Sequence, residues 1–427
     1  MRSKGWILTI IFVFFLYFSF SSLNSIARSR SRRPNNDIVI QRNNPYRQLN
    51  NTLLASVLAH IQSGYVSNRT PDFDTPPLLV LYSCRKPNQC GTFEERLLSM
   101  TTAYLFALLW DGAAFGIDMD APVKFDWYYQ TTLGYMSMNE GQVNYYLDKA
   151  EKNDPSSILD LDTMSAQELE STNFMTQYRN DNVRILRCGQ WENWKALFNN
   201  PSVWRYRDKY QLEKLTQSQV FYIVHQILFR KPSDWLVSHL GPYRDLMGGE
   251  MYRDPIQRRP IPYDSVIHRW MRVGIHMPSD STQVELDCVA SKAAMACRSA
   301  QIMGKECHVF LSAPSQGIIQ DLQKSIQKRS QKERRTIIHA VSESYEFTPA
   351  TAMAEADVVD PSDEQRVKLV YAREIMDWTI LSRMDYLIGS HGDSFLKTAS
   401  AAAQVETGVF EYNKDGECEV VKMKDWF

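Results

Sequence analysis

The chain has 427 residues, 44% hydrophobic and 23% charged, with 48 basic against 49 acidic side chains. That composition excludes a disordered or fibrous chain, and the near-zero net charge excludes a globally basic nucleic-acid binder. A chain of this length divides into more than one core, because single cores stop growing at about 250–300 residues.

From Trp6 to Leu23 no residue is charged, and a bilayer is spanned by about 20 such residues in a helix. The run is apolar all round, unlike an amphipathic core helix, and it outlasts the h-region of a signal peptide. It therefore reads as a membrane anchor, with cleavage as the alternative because Ser25 and Ala27 make a small-x-small pair beyond it. Arg28, Arg30, Arg32 and Arg33 lie after the span and only Arg2 and Lys4 precede it, a bias that alone favours the opposite topology. Sequons at Asn50 and Asn68 argue that the chain beyond the span is lumenal. The expected layout is a tail at 1–5, an anchor at 6–23 and an extended stem at 24–75 with one apolar patch, Leu53 to Ile61.

The first strand is expected at Leu78–Tyr82. After it, Cys84 and Cys90 flank a short loop and are placed to bridge in an oxidising lumen, whereas Cys288 and Cys297 lie in a helical stretch and read as small apolar fillers. No Cys/His pattern suggests zinc. A helix over Phe93–Leu109 and a strand over Ala114–Ile117 complete a β-loop-α-β opening, and aromatic amphipathic helices fill 195–250. The Pro-rich passage Arg253–Pro262 separates an N-terminal unit, 76–262, from a C-terminal one, 263–427.

The second unit alternates. Strands are expected at Arg272–Met277, His308–Leu311, Thr336–Val341, Tyr386–Ile388 and Val409–Phe410, with helices at Gln283–Met303, Gly317–Gln327, Glu364–Arg383 and from Ser394. Strands alternating with helices of this length give parallel βαβ units. The fold class is α/β, and in such sheets ligands bind beyond the carboxyl ends of the strands.

Four strand ends carry chemistry. Ile388-Gly389-Ser390-His391-Gly392-Asp393-Ser394-Phe395 leads a strand into a helix N-terminus, where free N–H groups and the helix dipole suit a phosphate; an ordinary turn capped by Asp393 or Ser394 is the alternative. His276, with Ser279 and Asp280 beyond it, is placed to touch a nucleotide or sugar or to serve only the fold. Arg96, in Gly91–Arg96, is placed to meet a phosphate or to pair with Glu95 or Asp111. Asp118-Met119-Asp120 matches the metal-holding Asp-x-Asp of nucleotide-sugar transferases, but so does Asp160-Leu161-Asp162, and the pattern is weak.

Taken together these segments resemble the GT-B fucosyltransferases, notably the plant cell-wall enzymes and more distantly the core α1,6 and nodulation types. The likeness is carried by Cys90–Arg96 through Phe115–Asp118, by His225–Asp234, by Val273–His276, and most specifically by Asp377–Ser390 through Phe395 and Ala399. It implies two Rossmann-like halves facing a cleft, a single-span Golgi protein with a lumenal catalytic domain, and inverting transfer of fucose from GDP-fucose to a hydroxyl of a glycan or glycoprotein. No cofactor and no essential metal are expected. The resemblance places the donor against His276, Asp280, Asp377, Ser390, His391, Ser394 and Phe395.

Where that family carries an arginine two residues after the motif histidine, this chain has Pro278, which has neither charge nor donor. Arg96 or Arg272 takes its place, backbone amides at 390–395 hold more of the charge, or transfer activity is lost. The base that accepts the acceptor proton lies among Glu94, Glu95 and Asp118, which the sequence does not rank. Two other readings stand beside this one: a metal-dependent GT-A transferase using Asp118 and Asp120, and an inactive glycan-binding membrane protein.

Overall fold

A computed structural model describes residues 51–65, 79–84, 90–109, 113–119, 124–130, 136–137, 140–153, 158–177, 185–188, 193–202, 209–244, 246–247, 270–330, 336–342, 345, 364–413 and 416–423. The expected anchor, the sequon asparagines Asn50 and Asn68, and Asp120 lie outside the described residues. Among those described, no helix is long and apolar enough to cross a membrane.

Helix α1 (Asn51–Tyr65) corrects the expectation of an extended stem to residue 75. Leu54, Val57 and Ile61 recur at helical spacing and are buried in the main core, so the apolar patch is the inner face of a docked helix.

Strands β1 (Leu79–Cys84), β2 (Ala114–Met119), β3 (Met136–Ser137), β4 (Ile158–Asp160) and β5 (Ile185–Cys188) form a five-stranded sheet in the order β3-β2-β1-β5-β4. Its registered pairs are parallel. Helix α2 (Phe93–Leu109) comes after β1, with Leu97, Leu98, Ala103, Tyr104 and Ala107 all buried. Helices α3 (Glu140–Asn153), α4 (Ala166–Ser171), α5 (Phe174–Gln177), α6 (Asn193–Asn199), α7 (Gln217–Leu228) and α8 (Asp234–Leu240) complete this half. A capping box closes the start of α7, Thr216 and Gln219 each bonding the other's backbone N–H.

The second sheet contains β6 (Trp270–His276), β7 (Glu306–Ser312), β8 (Thr336–Ala340), β9 (Tyr386–Ser390), β10 (Glu406–Tyr412) and β11 (Cys418–Lys422) in the order β11-β10-β9-β6-β7-β8. All its pairs are parallel except β10 with β11. Helices α9 (Gln283–Ile302), α10 (Gln316–Ser330), α11 (Glu364–Leu381) and α12 (Ser394–Ala403) make the crossovers. Val273, Ile275, Val309 and Leu311 on β6 and β7 are fully buried, as strands covered on both faces should be.

Helix α11 joins the halves. The Tyr128 hydroxyl donates to the Lys368 carbonyl at 2.8 Å, Trp378 meets Phe93 and His225 edge-on, and the Trp235 indole donates to Gln365 Oε1 at 2.9 Å. One hydrophobic cluster runs from α1 and α2 through α7 to α11, α12 and β9.

Three disulfides form: Cys84–Cys90, Cys288–Cys418 and Cys297–Cys307. The last two correct the reading of Cys288 and Cys297 as fillers. Cys288 ties α9 to β11 across 130 residues, and Cys297 ties α9 to the next strand, β7.

Candidate functional site

Helix α12, which follows β9, packs against α2, and Phe93 at the start of α2 meets Trp378 of α11 edge-on. His276 ends β6, and its ring stacks on Phe395 with centroids 4.5 Å apart. Its Nδ1 lies 2.9 Å from Oγ of Ser312, the last residue of β7. Ser312 in turn donates to Asp377 Oδ2 on α11, also at 2.9 Å. On the other side, His276 Nε2 lies 3.5 Å from Asp393 Oδ2. Asp393 is the N-cap of α12, its Oδ1 accepting from the Phe395 and Leu396 amides at 2.9 and 3.2 Å.

Burial controls the charge of this row. It drives the His276 imidazole down to about 3, so the ring is neutral across the physiological range. It pushes Asp377 up to about 7 against the pull of Arg373 and the Ser312 hydrogen bond. Asp393 is pushed up to about 7 by burial despite its two amide bonds and Lys397. Burial also takes Glu94, on the first turn of α2, to about 7, and the Asp393 and Glu95 charges add to it.

The other acidic candidates have structural partners. Glu95 Oε2 accepts from the Thr92 amide at 2.7 Å and fills the space a Cβ on Gly91, at φ +70°, would need. Asp118 is buried at the end of β2 and accepts from Ser83 on the adjacent strand at 3.1 Å. Asp160 caps a turn by accepting from the Asp162 amide and faces Arg187 at 3.9 Å. No group of three or more metal-ligating side chains occurs among the described residues.

The cations are also placed. Arg272 is corrected as a stand-in for the missing arginine: it sits near the start of β6, opposite the end that carries His276. There its Nε and Nη2 engage both oxygens of Asp385 at 2.9 and 2.7 Å, and Nη1 donates to the Leu246 carbonyl. Arg96 is 1% exposed and folds back onto the Gly91 carbonyl through Nε and Nη2. Arg373, which sequence reasoning missed, is buried on α11 one turn before Asp377 and donates to the Ala313 carbonyl, just beyond β7, at 2.9 Å.

Of the expected donor residues, the fold brings His276, Asp377 and Phe395 into one buried group. Ser390 and Ser394 are half-buried on the β9–α12 turn, His391 is exposed there, and Asp280 is exposed after Pro278. The amides of Phe395 and Leu396 are not open to a phosphate as expected, because Asp393 occupies them. Ser312, the other missed residue, had a faint signal: a hydroxyl where a buried parallel strand runs out.

Two mostly parallel sheets bridged by a shared helix define an α/β protein of the GT-B kind. The FUT1 of Arabidopsis thaliana, solved as a point mutant in complex with GDP, is similar with a TM-score of 0.50 and 14% identity over 91% of this chain and 83% of that one. The fucosyltransferase NodZ from Bradyrhizobium gives 0.42 and 14% over 81% of this chain and 98% of that one, and POFUT1 in complex with GDP gives 0.40 and 8% over 78% and 96%. No protein-family model and no curated protein sequence matches. At such identities the shared property is the fold, and the chain has the fold seen in the FUT1 structure.

Proposed function

We propose that the chain is an inverting glycosyltransferase that moves fucose from GDP-fucose to a glycan hydroxyl. The observation that carries the proposal is the fold likeness to FUT1, crystallised with GDP, over 91% of the chain. The chemistry at the strand ends supports it. A neutral imidazole, a serine hydroxyl and the buried carboxyl of Asp377 line the pocket where a nucleoside sits in open α/β sheets, and Arg373 supplies a guanidinium at the end of β7. The acceptor lies on the α2 side, and its oxygen attacks the anomeric carbon in line as the diphosphate leaves. Three disulfides support an oxidising compartment, and with the apolar run at 6–23 they fit an anchored Golgi protein with a lumenal catalytic half.

Isothermal titration of the full-length protein with GDP and UDP tests the reading. GDP binds in preference to UDP, and His276→Ala and Ser394→Ala each weaken GDP by about tenfold, the loss of one or two neutral hydrogen bonds. Unchanged GDP affinity in both variants removes the donor from this pocket. A second reading, a glycan-binding protein without transfer activity, is favoured by Pro278 alone; it requires that no GDP bind at all.

A further inference from the structure

Ser312 belongs to no motif of the sequence, yet it stands between His276 and Asp377. His276 and Ser312 are the last residues of β6 and β7 and are register partners across these parallel strands, so their side chains leave the same face of the sheet. The backbone holds Ser312 in place, because the Met277 amide donates to its carbonyl at 3.1 Å. Behind the strands, Arg373 ties α11 to the Ala313 carbonyl, and one turn further on α11 presents Asp377 to the Ser312 hydroxyl. Phe395 stacks on the imidazole and fixes its plane.

The hydrogens of this row can be counted. The His276 side chain is 8% exposed and its ring is neutral through burial, so it carries one N–H and one bare nitrogen. The Ser312 hydroxyl has one hydrogen, and Asp377 Oδ2 receives it at 2.9 Å. Turned to His276 instead, that hydrogen would leave Oγ and a carboxylate oxygen facing each other bare, a costly state for buried acceptors. Nδ1, 2.9 Å from the same Oγ, is therefore the donor. The other edge of the ring agrees. Nε2 lies 3.5 Å from Asp393 Oδ2, beyond the usual N–H···O range, and that oxygen has no hydrogen-bond partner among the described residues. A ring N–H on that edge would be drawn onto the carboxylate to about 2.7–2.9 Å.

We propose that Ser312 is a positioning residue: it fixes His276 as the Nδ1–H tautomer and so makes Nε2 an acceptor, which takes an N–H or O–H donor from the ligand. That the ligand is a guanosine diphosphate rests on the transfer reading above. Asp377 acts one step further back, by taking the hydroxyl hydrogen that would otherwise turn to the ring. Without the hydroxyl, the remaining acceptor for the ring hydrogen is Asp393, at the Nε2 edge. A donating ligand is then bound only by the fraction of molecules that keeps Nε2 bare.

The test is ring 15N NMR of the full-length protein labelled with 15N-histidine, without ligand, at about pH 8, where Asp377 and Asp393 are ionised. His276→Ala identifies the His276 signals by their loss. The wild type shows the hydrogen on Nδ1 and a bare Nε2. Ser312→Ala, with its backbone bond kept, moves the hydrogen to Nε2, and in titration it weakens GDP binding by about tenfold. Asp377→Leu, of similar volume, also moves it to Nε2, because the freed Ser312 hydrogen turns to Nδ1. A Ser312 that served packing alone would lower the melting temperature when replaced and leave the ring hydrogen on Nδ1. Hydrogen on Nε2 in the wild type, or an unmoved ring hydrogen in either variant, overturns the proposal whatever the GDP result. A wild type that shows Nδ1–H but binds no GDP overturns the transfer reading and leaves the tautomer assignment standing.

Discussion

Gly389 shows how closely a single position can be constrained. It lies near the end of β9, and a Cβ there would collide with the His276 backbone carbonyl and with Leu396. Gly389→Ala is therefore expected to push β9 away from β6 just where His276 and Asp393 face each other. Overpacking of this kind costs about 1–3 kcal/mol, to be read in urea unfolding, together with loss of GDP binding. At this scale the sequence was legible where chemistry stood at strand and helix ends: His276, Asp377 and Phe395, singled out from separate segments, come together in one buried group. It was not legible where a role depends on a partner far along the chain. Arg272 looked like a spare cation until Asp385 took both sides of its guanidinium, and Ser312 gains its meaning only because Asp377, 65 residues on, meets it.

Among elements, the alternation of the C-terminal half could be read because strands buried on both faces are continuous apolar runs and their crossover helices are long. The strands of 136–188 escaped, since β3, β4 and β5 are two to four residues each and too short for periodicity to register. Helix α1 escaped for a different reason: its polar flanks gave the whole region the composition of a spacer. Its role in the fold makes a clear expectation. Ile61 is 1% exposed, and Ile61→Ala should destabilise the protein by about 2–5 kcal/mol, measured by urea denaturation. A spacer would tolerate the change.

For the whole molecule, the cysteine pairing was beyond reach of the sequence, because connectivity among several cysteines cannot be deduced from spacing. Cys288–Cys418 closes a loop of 130 residues, so removing it by paired Ser substitution should cost about 5 kcal/mol of unfolding free energy on the chain-entropy model. The buried acids make stability depend on pH. Glu94, Asp377 and Asp393 each titrate higher folded than unfolded, so the unfolded state gives up their protons first and each favours the fold below about pH 4. That contribution is lost as pH rises to about 7. His276 and His225, both depressed by burial, act oppositely, and their contribution is lost only as pH falls below about 6.5. The two trends offset each other in mild acid. Above the histidine range only the acids remain, so Tm should decline from about pH 6.5 to 8, and the decline should be shallower in Asp393→Asn. An unchanged slope would mean that the acids are not protonated in the fold.

The single hydrophobic cluster shared by α2, α7, α11 and α12 bears on how such a protein changes over time. In a chain built of separable modules, a nucleotide half can be exchanged between relatives and a new acceptor half grafted on. Here Trp378 is wedged between Phe93 and His225, so an exchanged half would arrive with a hole or a clash at the seam. New binding preferences are therefore expected to arise by substitution in the loops above a fixed interior, with relatives diverging in those loops while both faces of the seam change together.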